Sequence, residues 1–371
     1  MRILHVITSL EIGGAEKLMV DLLPRLNVGG NHVDLLVFNG ARTIFTDNIE
    51  KAGITVYSFS KNTNVYNPLN IFRLIPYIKK YDIIHTHNTA CQLFVPIAKA
   101  LSFAKCKLVT TEHNTTNRRR GRWWFKLIDL WMYSKYATIV GVSKETTENI
   151  KKYLKNKKSA NCVTTICNGI DFDLFYNARL SDVRQELKLS GDTKLITMVA
   201  RFDGQKNQQA LIRAAEYLSD NCHILLVGGG DIDIKQTCIE LTNSLRLSKR
   251  VHFVGIRHDI PRLLKSSDII VLSSHYEGLP LSSIEAMASG RPFVASDVPG
   301  LREVVKGAGV LFPDGDSKKL AETIKKLLSN EDYYLSVALL CKKRAKDFDI
   351  SKTANEYRNL YFHNIISSLN Y

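Results

Sequence analysis

The sequence predicts an α/β protein built from two doubly wound, Rossmann-like domains with parallel sheets. Three observations predict this. Short β-branched and apolar runs alternate with longer helical stretches along the 371-residue chain, which is the pattern of a parallel sheet with crossover helices. The alternation occurs twice, on either side of a turn-rich break at Asn168-Gly169-Ile170-Asp171. The chain is also too long for one small core and suits two domains.

Taken in order, the first array has strand signals at 2–8, 33–39, 54–59, 83–87, 108–113 and 137–142. Helical stretches separate them at 16–25, 69–80, 93–102 and 123–133. The second array repeats the pattern, with strands at 195–200, 224–227, 251–254, 269–273, 292–295 and 310–312. Its helices are expected at 208–218, 233–245, 260–265 and 317–328. The domains are therefore placed at residues 1–175 and 176–351. The tail, 352–371, carries Tyr357, Leu360, Tyr361 and Ile365 at helical spacing. It is expected to pack back on the first domain; the plainer alternative is that it caps the second.

Composition narrows the function classes. Hydrophobic residues make up 45% and charged residues 23%, as in a soluble globular protein. No uncharged apolar run approaches the length of a membrane span. Met1 to Thr8 is apolar but short, and Gly13-Gly14-Ala15-Glu16 interrupts it, so it reads as a first strand and not as a signal peptide. Seven cysteines at irregular spacing, with no Cys-x-x-Cys, suit free thiols in a reducing cytoplasm. No Cys or His cluster has the spacing of metal ligands, so no metal is expected. The net charge is +15 and uneven: residues 1–180 hold 25 Lys and Arg against 13 Asp and Glu, whereas residues 181–371 hold 26 against 23. A basic first half implies an anionic partner, whether nucleic acid, anionic lipid or a phosphorylated substrate.

The most informative stretch runs from His275 to Met287. A buried strand at 269–273 leads into a tight loop with Glu277, Gly278, Leu279 and Pro280, and Ile284 to Ser289 reads as a helix, with its N-terminus near Leu281 and Ser282. Free N–H groups in a first helical turn, with the helix dipole, favour a phosphate. Glu277 in the loop and Glu285 in the helix flank that position. Carboxylates accept hydrogen bonds from hydroxyls, so an anion site rimmed by them suggests a sugar phosphate. Two glutamates alone are equally a strand–helix junction with solvated acids; the full string Glu-Gly-Leu-Pro-x4-Glu-Ala is more specific.

Other candidates fall at strand carboxyl ends, where open α/β sheets bind ligands. Arg201 and Lys206 follow the first strand of the second array and would neutralise a diphosphate. Gly228-Gly229-Gly230 follows the next strand and borders the nucleotide. Gly255 and Arg257 follow the one after and flank the base. In the first half, Gly13 and Gly14 open the first helix, where the backbone can approach a phosphate, although such a pair is as often only a turn. His113 ends a strand, as do His85 and His87, which rank lower. Finally, Arg118, Arg119, Arg120 and Arg122 run into Trp123 and Trp124. A solvated basic face and a nucleic-acid surface are both open readings. A membrane-surface patch is preferred because Trp favours the interface and Lys or Arg an anionic leaflet. Lys151, Lys152, Lys155, Lys157 and Lys158 add a second basic run.

Together, Gly13-Gly14-Ala15-Glu16, Glu112-His113-Asn114, Asn168-Gly169-Ile170-Asp171, Arg201 with Lys206, and Glu277 with Glu285 resemble the motifs of family 4 glycosyltransferases in order and spacing. The resemblance implies the GT-B fold, with two Rossmann-like domains facing across a cleft, and a retaining enzyme that needs no metal or other cofactor. It implies that Glu285 binds ribose hydroxyls, Glu277 meets the donor sugar, Arg201 and Lys206 bind the diphosphate, and His113 lies at the reacting sugar. A UDP-sugar is favoured over a GDP-sugar as donor. The basic first half favours a polyprenyl-linked saccharide as acceptor, used by a cytoplasmic protein held at the inner face of the membrane. A non-hydrolysing sugar-nucleotide epimerase, a non-catalytic sugar-binding protein and a nucleic-acid binder are the competing readings. Ala200 stands where many relatives have Gly.

Overall fold

The computed structural model describes residues 1–11, 13–61, 64–113, 123–154 and 158–366, with only the backbone for Trp123, Trp124, Lys158 and Asn161. The chain divides into two compact units: Met1–Gly169 together with the chain from Ile350 onward, and Ile170–Asp349.

In the first unit, β1 (Arg2–Ile7), α1 (Gly14–Leu26), β2 (His32–Asn39), α2 (Ile44–Lys51) and β3 (Val56–Ser60) come first. Then follow α3 (Leu69–Ile78), β4 (Ile83–His87), α4 (Thr89–Ser102), β5 (Lys107–Glu112), α5 (Trp123–Tyr133), β6 (Thr138–Gly141), α6 (Lys144–Leu154) and β7 (Val163–Thr165). The seven strands lie in the order β3-β2-β1-β4-β5-β6-β7, all pairs parallel. Residues inside β1, β2, β4 and β5 are buried on both faces, which is why their apolar residues do not simply alternate with polar ones. Two apolar cores, one on each face, hold the sheet. One gathers Leu36, Phe38, Phe94, Val95 and Tyr133; the other gathers Leu18, Leu22, Leu35 and Val37 with residues of the tail helix.

The second unit begins with α7 (Phe172–Tyr176) and α8 (Val183–Glu186). It continues with β8 (Lys194–Val199), α9 (Gln208–Ala214), β9 (Cys222–Val227), α10 (Ile232–Ser244), β10 (Val251–Gly255) and α11 (Ile260–Ser266). Next come β11 (Ile269–Leu272), α12 (Leu281–Ala288), β12 (Phe293–Ser296), α13 (Pro299–Val305), β13 (Val310–Phe312), α14 (Ser317–Ser329) and α15 (Glu331–Ala345). Its six strands lie in the order β10-β9-β8-β11-β12-β13. The last helix, α16 (Ile350–Ile366), belongs to the first unit, where Ile350, Ala354, Tyr357 and Tyr361 are buried in the same core as α1.

Outside the sequence expectation fall β7, α2 and α6 in the first unit and α7, α8, α13 and α15 in the second. Cys91, Cys106, Cys222, Cys238 and Cys341 are buried free thiols. Among the described residues, no helix is long and apolar enough to cross a membrane.

Candidate functional site

Both sheets change direction once, and each change marks a candidate site. In the second unit the chain winds from β8 to β9 to β10, then crosses to β11 on the other side of β8. Ligands of open α/β sheets sit at the strand carboxyl ends beside such a switch. The loop after β8 carries Arg201 and Lys206, and the loop after β11 carries Glu277.

These two loops are joined. The Lys206 ammonium lies 2.5 Å from Glu277 Oε1, and both side chains are largely buried, at 15% and 6% exposure. Gln205 Nε2 donates to the Tyr276 carbonyl at 2.6 Å and reaches Glu277 Oε2 at 3.4 Å. His275 N–H donates to the Gln205 carbonyl at 2.8 Å, and the Ser273 hydroxyl donates to the Asn207 carbonyl at 2.8 Å. Arg201 is two-thirds exposed, with Asp203 3.8 Å away; its backbone is fixed by Gln208, which donates to the Arg201 carbonyl at 2.7 Å.

Helix α12 then starts at Leu281. Its N-cap is Pro280, and no side chain caps it; of its first-turn N–H groups, that of Ser283 donates to the Pro280 carbonyl at 3.0 Å, and no side-chain oxygen shields the others. Leu279 and Leu281 are buried at 7% and 9% exposure, so these two residues can offer a ligand their backbone but little side chain. Gly278 and Ser282 are half-buried. Glu285 is on α12 at 6% exposure.

The glycine loop after β9 lies against the loop after β8. Phe202 N–H donates to the Gly229 carbonyl at 2.7 Å, and Asp231 N–H to the Phe202 carbonyl at 2.8 Å. Gly228 and Gly230 have φ of +145° and +135°. A Cβ on either would lie 2.2 and 2.4 Å from the carbonyl oxygens of Ala200 and Phe202, so this approach is open to glycine alone. At Gly229 a Cβ would meet Ile256 Cδ1 at 2.9 Å. Arg257, expected to flank a base, has its guanidinium held by Glu186 at 2.5 Å and by Asp259 at 2.8 Å. That ion-pair cluster holds Asp259 down at about 2 through the Arg257 hydrogen bond.

In the first unit the switch lies between β1 and β4. Asn88, after β4, donates from Nδ2 to Thr8 Oγ1 at 2.9 Å and so ties the two strand ends together. Gly13 is the N-cap of α1 in extended backbone, and the Glu16 carboxylate covers it, since a Cβ there would lie 2.2 Å from Oε2; beside Gly14 the space is open. His113 follows β5 on the other side of β4. Its Nε2 lies 3.0 Å from His87 Nδ1, and burial pushes it down to about 4.

His87, ranked low on sequence, is part of a cluster that spacing alone does not show. His5 Nδ1 lies 3.0 Å from His87 Nε2, and His5, His85 and His87 are fully buried. A partial signal was present in the histidines at i and i+2 of a buried strand; that His5 pairs with His85 emerges only from the sheet order.

Of the basic patch, Arg118, Arg119, Arg120 and Arg122 lie outside the described residues, as do Lys155 and Lys157, while Trp123 and Trp124 open α5. Farther along α5, Leu127, Ile128 and Trp131 are 65%, 38% and 42% exposed.

Two family models match the chain. The model described as Glycosyltransferase Family 4 matches residues 12–174, and that described as Glycosyl transferases group 1 matches residues 181–347. Among curated proteins, the chain is 28% identical over 306 residues to the UDP-Gal:alpha-D-GlcNAc-diphosphoundecaprenol alpha-1,3-galactosyltransferase of Escherichia coli, covering 78% of this chain and 77% of that one. It is 32% identical over 223 residues to the N,N'-diacetylbacillosaminyl-diphospho-undecaprenol alpha-1,3-N-acetylgalactosaminyltransferase of Campylobacter jejuni, covering 58% of each. Among solved structures, Anabaena HepE in complex with UDP-glucose superposes with a TM-score of 0.84 at 22% identity, covering 99% of this chain and 100% of that one. Sucrose-phosphate synthase from Thermosynechococcus elongatus gives 0.81 at 21%, with the same coverage. The fold is that of the GT-B glycosyltransferases.

Proposed function

This chain belongs to the family 4 glycosyltransferases, and on that premise we propose that it moves a sugar, with retention, from a UDP-sugar to a saccharide carried on a polyprenyl diphosphate. The observation that carries the reading is the joining of Lys206 and Glu277 across the switch point of the second sheet, beside the uncapped start of α12. The donor diphosphate lies against α12 with Arg201 and Lys206 around it. Glu285 takes the ribose hydroxyls and Glu277 the donor sugar. As the anomeric C–O bond breaks, its electron pair leaves with the diphosphate, and these cations stabilise the growing charge. The acceptor oxygen bonds to the anomeric carbon on the same face, and its proton passes to a donor phosphate oxygen.

Two kinds of similarity support the choice of substrates. The Anabaena neighbour was solved with UDP-glucose, and the E. coli relative is named for UDP-Gal. Both curated relatives are named for acceptors on diphosphoundecaprenol. The exposed apolar residues of α5 and the net positive charge of residues 1–180 support a position at the inner face of an anionic membrane, and cell-surface polysaccharide synthesis as the role.

The test is incubation of the purified protein with radiolabelled UDP-sugars, a GDP-sugar control and polyprenyl-diphosphate-linked acceptors. Transfer of label to the lipid fraction, with the donor's anomeric configuration kept in the product, is the expected result. Donor epimerised without acceptor would replace this reading with the epimerase; no transfer to any acceptor would remove it. Replacing the Arg118 to Arg122 cations should weaken binding to anionic liposomes and spare nucleotide binding.

A further inference from the structure

A continuous hydrogen-bonded chain of side chains runs from His113 into the first unit. His113 Nε2 contacts His87 Nδ1 at 3.0 Å, and His87 Nε2 contacts His5 Nδ1 at 3.0 Å. His5 Nε2 contacts the Tyr361 hydroxyl at 3.3 Å, and that hydroxyl contacts His85 Nδ1 at 2.6 Å. His85 Nε2 contacts Thr111 Oγ1 at 2.8 Å, and Thr111 contacts the Tyr357 hydroxyl at 3.0 Å. Every member except His113 is fully buried. Burial also pushes all four imidazoles down, His5 to about 3 and His113 to about 4, so each is neutral near pH 7 and carries one N–H.

One proton per ring leaves two self-consistent arrangements, because each contact needs one donor and one acceptor and the buried Tyr361 O–H must itself find an acceptor. Either the Tyr361 hydroxyl donates to His85, or it donates to His5, and the choice propagates along the chain. Two observations decide between them. The Tyr361–His85 contact is 2.6 Å and the Tyr361–His5 contact 3.3 Å; hydroxyl donors make the shorter hydrogen bonds and ring N–H donors the longer ones. At the outer end, Nδ1 of His113 is buried with no partner among the described residues. A buried acceptor left unfilled is tolerated better than a buried N–H.

We propose that His87, His5 and Tyr361 are positioning residues that hold His113 in its Nε2–H tautomer, its proton spent inward and its Nδ1 kept as a hydrogen-bond acceptor. In this arrangement Tyr361 donates to His85. His5, His87 and His113 each donate from Nε2 toward the tyrosine, and His85 donates from Nε2 to Thr111. The tail helix α16, through one hydroxyl, thereby sets what His113 can do. A hydroxyl donor, and not a carbonyl acceptor, is the group that pairs with His113 Nδ1. That this hydroxyl belongs to the reacting sugar rests on the function proposed above; the tautomer itself does not.

A metal ion is the other use such a cluster suggests, since His5, His85 and His87 offer ligand atoms within 4.8 Å of one another. Their ring nitrogens are already engaged in the chain, and three neutral imidazoles would leave a divalent charge uncompensated in a fully buried place.

The test is a long-range proton–nitrogen NMR spectrum of the full-length protein labelled with 15N-histidine, with His113 assigned through H113Q. A pyridine-type Nδ1 and a pyrrole-type Nε2 at His113 are expected, and the same pattern at His5, His85 and His87. A protonated Nδ1 at His113 would overturn the proposal, as would stoichiometric metal in the purified protein. Tyr361→Phe removes the residue that sets the order, so His113 should then populate both tautomers. Tyr357→Phe, at the far end, should leave it unchanged. Identical His113 signals in wild type and Tyr361→Phe would also overturn it. Should Tyr361→Phe not fold, the wild-type spectrum still decides the tautomer. Turnover separates the two readings: with His113 at the reacting sugar, Tyr361→Phe loses kcat several-fold at unchanged donor KM. An unchanged kcat with an altered tautomer removes His113 from the proposed reaction and leaves the chain standing.

Discussion

At Lys206 and Glu277 burial and charge oppose each other. The sequence suggests that Lys206→Ala would remove activity and spare the fold. The structure changes that expectation: Glu277 is 6% exposed, and truncating its partner leaves a carboxylate uncompensated out of water. Breaking a buried pair costs about 3 kcal/mol or more, so Lys206→Ala should lose both turnover and roughly that much stability in denaturant unfolding. Adding Glu277→Gln should return part of the stability and none of the activity. If Lys206→Ala unfolds at the wild-type midpoint, the ion pair does not hold these loops. Arg201 makes the contrast. Its side chain is mostly in water with only a long contact to Asp203, so Arg201→Ala should change stability by less than about 0.5 kcal/mol. It should still weaken UDP binding, by about 1.5–3 kcal/mol if the diphosphate rests on it, which isothermal titration would read as a Kd raised at least about tenfold.

Among the elements, α13 has an unassigned part in the site. Gly300 lies in its first turn, and a Cβ there would meet the carbonyl oxygens of Glu277 and Gly278 at 2.2 and 2.4 Å. Both obstacles are backbone and cannot rotate away. Gly300→Ala should therefore push the Glu277 loop or α13 aside, with a loss of about 1–3 kcal/mol, as overpacking costs, and a raised donor KM. Gly204→Ala, where nothing lies within 4 Å, is the control. Equal melting temperatures for the two variants would show that the loop does not lean on α13. Which elements were legible follows from the same packing. The central strands of both sheets read clearly because burial on two faces leaves β-branched and apolar runs. Helix α15 did not, because its buried face is Val337, Ala338, Cys341 and Ala345, while Leu335, Leu339 and Leu340 face solvent; the larger apolar residues mark the wrong side. Helix α2 buries only Thr46 and Ile49, too few for a stripe, and its capping box closes through Thr46 where Glu or Gln is the recognisable signal. Strand β7 is three residues long. In the second unit the candidate site was legible because Arg201, Lys206 and Glu277 all follow strands. The histidine chain was not, because its members come from β1, β4, β5 and α16 and meet only when the sheet order is known.

At the scale of the whole molecule, the two units should respond differently to acid. His5, His85, His87 and His113 are held neutral by burial in the first unit, His5 at about 3 and His113 at about 4, against an ordinary value of 6.5. A histidine whose folded value lies below its unfolded value binds fewer protons folded than unfolded as pH falls. Its contribution is therefore fully present above about 6.5 and is lost progressively toward the folded value. The slope is at most about 1.4 kcal/mol per pH unit for each histidine, shared among coupled rings. The second unit has only His223 and His252 shifted in this sense, and both are partly exposed. Between pH 7 and pH 5 most carboxylates stay ionised, so the histidines dominate the change. Denaturant unfolding followed by hydrogen exchange, which reports the two units separately, should show protection in β1, β4, β5 and α16 falling steeply over that interval, while β8 to β12 change less. Parallel loss in both units, or none in the first, would mean that the four imidazoles are not held neutral by the fold. Over this interval the protons are taken up by the unfolded chain, and the folded rings stay neutral until the pH nears about 4, so the order of the chain that ends at His113 should survive to pH 5 and activity should fall there only as far as the protein unfolds.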